Sequence, residues 1–360
     1  MTNNRVYFPN LNGLRFIAAA MVILWHIEQF RDVLGLSSNY DFYPQQFGKL
    51  GVVLFFVLSG FLISYLLFVE EKVHKTIFIK EFYIRRILRI WPIYYLLLIL
   101  SCFVFPYVDF LDYGWYNEKS MANKNFLLYF IFMPNFAVSL PFISQAWSVG
   151  VEEQFYLIWP ILMKYVKNKY VLLFSVIFIY LFTFIIIKEN QQIHLLNKLY
   201  PIITWLKIDC MAIGGIFALL LFEKRKVLNF LYSKSFQIFI YFITTVLLLS
   251  KEYFPFYQEL FAILFGIIIL NLASNPKTII SLESKKINYL GKISYGLYMY
   301  HPLVTLIIIK ISIIYNFHEN RLLVMFLIFS LVILCSHYSY EYFEKFFIKR
   351  KHKFSKIISG

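Results

Sequence analysis

Charged residues are scarce in this chain. Asp, Glu, Lys and Arg make up 15% of its 360 residues, whereas hydrophobic residues make up 60%. Soluble globular proteins carry about 25% charged residues, so the composition excludes a soluble globule. Cysteine is also rare, and Cys102, Cys210 and Cys335 each fall inside an apolar run. Such placement indicates neither a disulfide framework nor a metal site, and we expect no bound metal.

A cleavable leader is not visible in the sequence either. The first apolar run continues past Ala20 into bulky residues, with no small-residue cleavage site after it. We therefore expect an uncleaved first span. The formal net charge of +15 does not indicate nucleic-acid binding, because such binding requires a basic face on a folded soluble domain.

Long apolar runs are abundant. A bilayer core about 30 Å thick is crossed by about 20 apolar residues in a helix. The sequence predicts ten such spans, at residues 14–31, 51–69, 88–106, 147–164, 170–187, 204–222, 236–250, 257–273, 292–310 and 322–340. The apolar stretch at 125–134 is too short to cross, so we expect a re-entrant or interfacial helix there. The predicted fold is an all-α, polytopic helical membrane protein.

Basic residues are distributed unevenly among the predicted loops. Ten spans put both termini on one side of the membrane, and a cytoplasmic placement puts 25 of the 35 Lys and Arg residues inside. The positive-inside rule therefore predicts cytoplasmic termini, and we expect the chain to reside in the inner (cytoplasmic) membrane, in contact with its lipids. We expect one transmembrane domain at residues 1–345 and a basic cytoplasmic tail at 346–360.

The first predicted span contains two ionisable residues, which are costly in a bilayer and often functional. His26 follows Arg15 by eleven residues. Eleven residues make just over three helical turns, so both side chains share one face, about 16 Å apart along the axis. The orientation puts Arg15 near the cytoplasmic boundary and His26 between the midplane and the outer surface. Each also has a structural explanation: an arginine can snorkel to headgroups, and a buried histidine can be a hydrogen-bonded packing residue.

Other polar residues fall at a depth similar to that of His26. Glu152 and Glu153 lie near the start of their span, and adjacent helical residues point about 100° apart, so we expect one of them, Glu153, to face the interior. Asp209 lies near the outer end of its span, and Tyr298 and His301 lie near mid-depth. Together these residues predict a polar cavity open toward the outside, although each alone could be structural.

Arginines cluster at the cytoplasmic start of the third span. Arg86 and Arg89 are neighbours on one helical face, and Arg85 precedes them. Guanidinium forks bind phosphate through paired hydrogen bonds, which favours a phosphate-bearing ligand; positive-inside anchoring is the alternative. In the middle of the second span, the small pair Ser59-Gly60 lets helix backbones approach closely.

This arrangement indicates group transfer across the membrane. A cytosolic donor with a phosphate handle and a long thin arm could bind the arginines and extend its reactive end toward an outer acceptor. Coenzyme A has that shape. A histidine could take the proton of the acceptor hydroxyl, with a carboxylate holding the imidazole tautomer.

Six motifs carry a resemblance that covers nearly the whole chain. They read "LNGLRFIAAAMVILWH", "GVVLFFVLSGFLIS", "FYIRRILRIWPIYYL", "QAWSVGVEEQFYLIWP", "IDCMAIGGIFALL" and "ISYGLYMYHPLV". In this order and spacing they resemble the acyltransferase-3 family of membrane acyltransferases. The resemblance implies acyl transfer from acetyl-CoA to a sugar hydroxyl of a cell-surface or lipid-linked glycan, such as O-antigen, capsule, exopolysaccharide or a peptidoglycan-type glycan.

The resemblance also implies roles for individual residues. The family's arginine–histidine pair, paired-arginine motif and glutamate-rich helix start fall on Arg15 and His26, Arg86 and Arg89, and Glu152 and Glu153. We therefore expect catalytic residues His26, Glu153 and Glu152, donor-binding residues Arg15, Arg86, Arg89, Arg85 and Ser59, and acceptor-binding residues Asp209, Tyr298, His301 and Trp147. The chain departs from the family pattern at Asn12, where an aspartate is usual, and at Lys207, where an arginine is common.

Two other functions remain open from the sequence. In a secondary transporter, intramembrane His, Glu and Asp would form a proton relay, although no convincing internal repeat is visible. A flippase for acyl groups or lipid-linked sugars would keep the same fold. We expect no hydrolase-like domain after the last span, and we therefore expect transfer to finish within the membrane domain or on a separate partner.

Overall fold

The chain folds into a bundle of helices. The computed structural model describes residues 5–38, 46–112, 126–137, 139–250 and 254–359, and most of these residues are helical. The helices are α1 (Leu11–Val33), α2 (Phe47–His74), α3 (Ile79–Phe103), α4 (126–130), α5 (Ala146–Tyr165), α6 (Lys169–Glu189), α7 (His194–Trp205), α8 (Ile208–Phe222), α9 (Val227–Leu231), α10 (Lys234–Leu249), α11 (Tyr257–Ser274), α12 (Lys285–Lys292), α13 (Ser294–Ile314), α14 (Arg321–Tyr338) and α15 (Lys345–Lys351). The predicted all-α class is confirmed.

The two ends of the described chain meet. Arg5–Val6 and Ile358–Ser359 form a two-residue parallel ribbon. Next to it, Tyr7 donates a hydrogen bond to Glu283 at 2.6 Å, and this bond raises the pKa of Tyr7 to about 12, so the phenol stays a donor at neutral pH. Both termini therefore lie at one end of the bundle, as predicted, while their cytoplasmic placement stays a prediction.

Eight helical segments are long and apolar enough to cross a membrane, which makes the chain a multi-pass membrane protein. Within the described residues they are Leu11–Val33, Phe47–His74, Ile79–Tyr107, Lys169–Glu189, His194–Phe222, Tyr257–Ser274, Ser294–Ile314 and Arg321–Lys351. The other two predicted spans correspond to α5, which carries three charged residues, and to α10, which has only 16 residues. The structure therefore supports eight of the ten predicted spans, and the total of ten stays a prediction.

The short apolar stretch predicted at 125–134 contains the helix α4, followed by a 3₁₀ turn at Pro134–Phe136. Two tyrosines of α3 hold α4 in place: Tyr94 donates to the Tyr129 carbonyl at 2.7 Å and Tyr95 to the Phe130 carbonyl at 2.9 Å. These bonds satisfy backbone acceptors that a helix end leaves free. Placement of α4 at a membrane surface stays a prediction.

The span predicted at 204–222 is interrupted in the structure. Helix α7 ends at Trp205 and α8 begins at Ile208, so the predicted continuous helix is wrong at Leu206 and Lys207. The break turns the Lys207 side chain toward α11, where Nζ lies 2.8 Å from Glu259 Oε1. An ion pair of this kind compensates a charge that an apolar helix would otherwise bury alone.

Helix α2 runs through the core and packs closely on α8. Gly60 lies against the Met211 backbone, and Gly214 lies against the Val57 carbonyl. Glycine has no Cβ, so the two backbones come closer than larger residues would allow. The close approach predicted from Ser59-Gly60 is present, and it fixes the position of Ser59 on the neighbouring helical face.

Replacing Gly60 by alanine is expected to destabilise the protein. A Cβ at this position would overlap the Met211 carbonyl oxygen, so α2 and α8 would have to move apart. Overpacking of a filled core costs about 1–3 kcal/mol, and we expect a lower midpoint of thermal unfolding in detergent. Val73→Ala, at a site of the same helix that is 38% exposed, is the control. A midpoint equal to wild type in Gly60→Ala would argue against this packing.

The C-terminal residues are part of the helical bundle. Helix α14 continues into a π-helical segment, Ser339–Glu344, then into α15 and a 3₁₀ turn at His352–Phe354. Arg85 of α3 donates to the Phe354 carbonyl at 2.8 Å. The predicted boundary at residue 345 therefore falls within one continuous helical segment, and much of the predicted tail packs on α3.

Candidate active site

A cavity of about 410 Å³ lies inside the bundle. Its walls come from α1, α2, α3, α5, α12, α13 and the C-terminal helical segment, residues 339–354. Arg15, Arg86 and Arg89 line one end, while Phe55, Ser148 and Tyr298 line the other. Its volume falls in the range of ligand pockets, about 300–1,000 Å³.

The basic end brings together residues from four helical segments. Five cationic side chains of the described chain line the cavity, against two carboxylates, Glu152 and Glu344; the cations are Arg15, Arg86, Arg89, Lys292 and Lys351. Arg15 donates to Asn12 Oδ1 at 3.0 Å. Arg86 lies over the rings of Phe82 and Tyr156, with its Cζ 5.5 and 5.4 Å from their centroids. The structure therefore brings together three of the arginines predicted to bind the donor.

The predicted donor-binding Arg85 lies beside the main cavity, in a smaller pocket that Arg86, Arg89 and Lys351 also line. Its Nη2 is 3.3 Å from Glu70 Oε2, and its Nη1 donates to the Phe354 carbonyl. Glu70 is 2% exposed and also accepts from the Phe78 amide at 2.7 Å. Arg85 does not line the main cavity, because residues 85 and 86 point about 100° apart on α3.

Glu152, Tyr156 and Ser59 form a hydrogen-bonded chain in the middle of the cavity. Tyr156 donates to Glu152 Oε2 at 3.0 Å, and its hydroxyl also contacts Ser59 Oγ. All three residues line the cavity. Glu152 and Tyr156 are four residues apart and share one face of α5.

Glu153, which we predicted to face the interior, does not line the main cavity. Its Oε2 accepts a hydrogen bond from Trp91 Nε1 at 3.1 Å, while its buried Oε1 has no partner among the described residues. Glu152 is therefore the cavity-facing residue of the pair. The choice follows from the rotation of α5, which the sequence of α5 alone does not fix.

His26 and His301 contact each other across α1 and α13. Their ring centroids are 4.7 Å apart in an edge-to-face arrangement. His26 Nδ1 lies 2.9 Å from the Val22 carbonyl oxygen, and His301 Nδ1 lies 2.7 Å from the Tyr298 carbonyl oxygen. Because a carbonyl only accepts, each Nδ1 carries a hydrogen, and in the neutral imidazole each Nε2 then presents a lone pair.

The predicted carboxylate partner of His26 is not found. Among the described residues, Val22 supplies the hydrogen bond of His26, whereas Glu152 bonds Tyr156 and Glu153 bonds Trp91. A backbone carbonyl of the preceding helical turn thus holds the imidazole tautomer, the role predicted for a carboxylate.

Tyr298 connects the cavity to the histidine pair. It lines the cavity, its hydroxyl contacts Ser148 Oγ at 2.6 Å, and its ring centroid is 5.8 Å from that of His301. His26 does not itself line the cavity; its ring packs against that of His301. Three predicted residues, His26, Tyr298 and His301, are therefore neighbours.

Two residues predicted to bind the acceptor lie apart from this cavity. Trp147 packs against Trp205, with ring centroids 4.6 Å apart, and lines a separate small pocket with Lys49 and Lys207. Asp209 is fully buried on α8, and its Oδ1 has no partner among the described residues. The predicted acceptor residues thus fall into two groups rather than one.

Several cavity residues were missed by the sequence analysis. Tyr156 was detectable, because it lies one turn after Glu152 in the fourth motif. Lys351 and Glu344 come from the segment interpreted as the end of the last span and a basic tail. A run of charges after a span is typical of positive-inside anchoring, so the sequence of this segment did not indicate that Lys351 or Glu344 lines a cavity.

Comparisons with known proteins show the family of this chain. A family model described as an acyltransferase domain matches residues 8–340. The chain belongs to the acyltransferase-3 family. It is 28% identical over 340 residues to peptidoglycan O-acetyltransferase OatA of Listeria monocytogenes, covering 84% of this chain and 50% of that protein. It is 26% identical over 382 residues to a putative O-acetyltransferase of Staphylococcus aureus, covering 95% of this chain and 58% of that one.

The chain is also similar to a viral protein. A putative acetyltransferase of the Acidianus two-tailed virus is 30% identical over 317 residues, covering 84% of this chain and 85% of that protein. The chain spans about half the length of the bacterial acyltransferase-3 relatives named above. No solved structure matches the chain.

Proposed function

We propose that this protein transfers an acetyl group from cytosolic acetyl-CoA, across the membrane, to a hydroxyl of a cell-surface or lipid-linked glycan. The observation that carries the proposal is the cavity, which has unpaired cations at one end and reaches Tyr298, beside the His26–His301 pair, at the other. The similarity to O-acetyltransferases supports the chemistry. O-antigen, capsule, exopolysaccharide and peptidoglycan-type glycans are the class of acceptor.

The basic end supports a phosphate-bearing donor. Among the described residues, the side chains of Arg86 and Arg89 make no hydrogen bond or ion pair, and the buried Nε of Arg86 has no partner. Unpaired charges inside a membrane domain are costly. The phosphates of coenzyme A would compensate them with charge-assisted hydrogen bonds.

The middle of the cavity suits the arm of coenzyme A. Ser59, Tyr156 and Glu152 offer hydroxyl and carboxylate groups along one wall. The arm of coenzyme A carries amide groups, which need hydrogen-bond partners when they leave water. In this proposal Glu152 orients the Tyr156 hydroxyl and does not act on the acceptor.

His26 acts as the general base in this proposal. Its Nδ1–H is held by the Val22 carbonyl, so Nε2 is free to accept a proton. The acceptor oxygen bonds to the thioester carbonyl carbon while its proton passes to His26 Nε2. The carbon–sulfur bond then breaks, and the thiolate takes the proton, which releases coenzyme A and restores the neutral imidazole.

Reconstituted protein in sealed vesicles tests the proposal. Acetyl-CoA labelled in the acetyl group is supplied on one side and an acceptor glycan on the other. We expect label in base-labile esters on the glycan and none in protein-free vesicles. A transporter or flippase would move label or lipid-linked sugar without forming the ester, and that result would overturn the proposal.

A further inference from the structure

We propose that the C-terminal helical segment, residues 339–354, completes the donor site and that Lys351 binds a donor phosphate together with Arg86 and Arg89. This inference rests on the function proposed above. It concerns a residue outside the motifs that carry the family resemblance, in the part of the chain interpreted from its sequence as a basic tail.

One face of the segment points into the cavity. Glu344, Ile348 and Lys351 all line it, and their spacing of four and three residues places them on one stripe of a helix. The segment lies against α3, where Arg85 holds the Phe354 carbonyl at 2.8 Å. The α3 helix carries Arg86 and Arg89, so the cations of α3 and of the C-terminal helical segment line the same cavity.

Lys351 belongs to the cationic cluster of the cavity. With Arg86 and Arg89 it lines both the main cavity and a smaller pocket on the side of Ser355. Its charge is close enough to interact unfavourably with those of Arg89, Arg86 and Arg15. Among the described residues, its ammonium makes no hydrogen bond or ion pair. Five cations against two carboxylates in one cavity favour a bound anion, and a phosphate group supplies several acceptor oxygens.

Its position distinguishes Lys351 from the other basic residues of the segment. Lys349, Arg350 and Lys353 are exposed, as expected for residues that only face the headgroups and the cytoplasm. Lys349 is two residues from Lys351 on the same helix and carries the same charge. Lys349 is therefore a matched control, which shows whether the position of the charge in the cavity matters or only the number of charges on the helix.

The experiment measures donor binding and turnover with the full chain in detergent or vesicles. The binding probe is adenosine 3′,5′-bisphosphate, which has phosphates but no thioester. We expect Lys351→Ala to raise its Kd, and the KM for acetyl-CoA, about tenfold or more, with little change in kcat at saturating donor. Lys349→Ala should match wild type, and Lys351→Arg should recover most of the affinity.

Other outcomes overturn the inference. A Kd and KM in Lys351→Ala equal to those of Lys349→Ala would remove Lys351 from the donor site, while transfer by wild type would leave the proposed function standing. If wild type neither binds the probe nor transfers acetyl, both proposals fail. Loss of folded protein in both Lys351→Met and Lys351→Arg would assign the side chain a packing role and would also overturn the inference.

Discussion

His26→Ala is expected to abolish acetyl transfer while the protein stays folded and binds donor normally. The reason is chemical: Nε2 of His26 is the proposed proton acceptor, and loss of a general base lowers turnover by about 10²- to 10⁴-fold. Arg15, at the proposed phosphate-binding end, lies about 16 Å away along α1, so the Kd for coenzyme A should not change. Turnover at saturating donor, measured with labelled acetyl-CoA, gives the result.

Two variants make this prediction specific. His194→Ala removes an exposed imidazole at the start of α7 and should retain wild-type turnover. His26→Gln keeps a polar side chain of similar length but offers no imidazole, and it should lose turnover as alanine does. Wild-type activity in either His26 variant would exclude proton transfer at this residue.

Hydropathy predicted the helices of the bundle well and their interruptions poorly. The span predicted at 51–69 lies within α2, and the span predicted at 257–273 nearly coincides with α11. An apolar run of this length has few alternatives to a helix in lipid. The break at Leu206 and Lys207 was missed because the partner of Lys207 there, Glu259, comes from another helix. A contact between distant segments leaves no trace in a local average of hydropathy.

Within the site, the sequence correctly predicted which residues are neighbours along one helix. Arg86 and Arg89 share a face of α3 and line one cavity, as their spacing required. The prediction that Glu153 rather than Glu152 faces the cavity was wrong, because the orientation depends on how α5 is rotated against α3. In the structure, Trp91 of α3 donates a hydrogen bond to Glu153. Likewise, the Val22 carbonyl as the partner of His26 follows from local helix geometry and not from a charged motif.

The double variant Arg86→Ala/Arg89→Ala is expected to raise the KM for acetyl-CoA by at least about 100-fold. Each charge-assisted hydrogen bond contributes about 1.5–3 kcal/mol, and both guanidinium groups line the proposed phosphate end. Because phosphate contacts are present before and during the reaction, their loss should weaken binding more than turnover. The measurement is the KM and kcat of the reconstituted protein over a wide range of donor concentrations.

Arg85→Ala separates the proposed role from a general effect of losing arginine on α3. Arg85 pairs with the buried Glu70 and with the Phe354 carbonyl, so its loss leaves a buried carboxylate uncompensated, which typically costs 3–5 kcal/mol of stability. We therefore expect a clearly lower unfolding midpoint. Because the Phe354 contact also holds the segment that carries Lys351, we expect the KM to rise, but much less than in the alanine pair. Arg86→Lys/Arg89→Lys should fall between wild type and the alanine pair, because lysine keeps the charge but lacks the bidentate fork. An unchanged KM in the alanine pair would mean that the cluster anchors the bundle at the membrane surface and that the donor binds elsewhere.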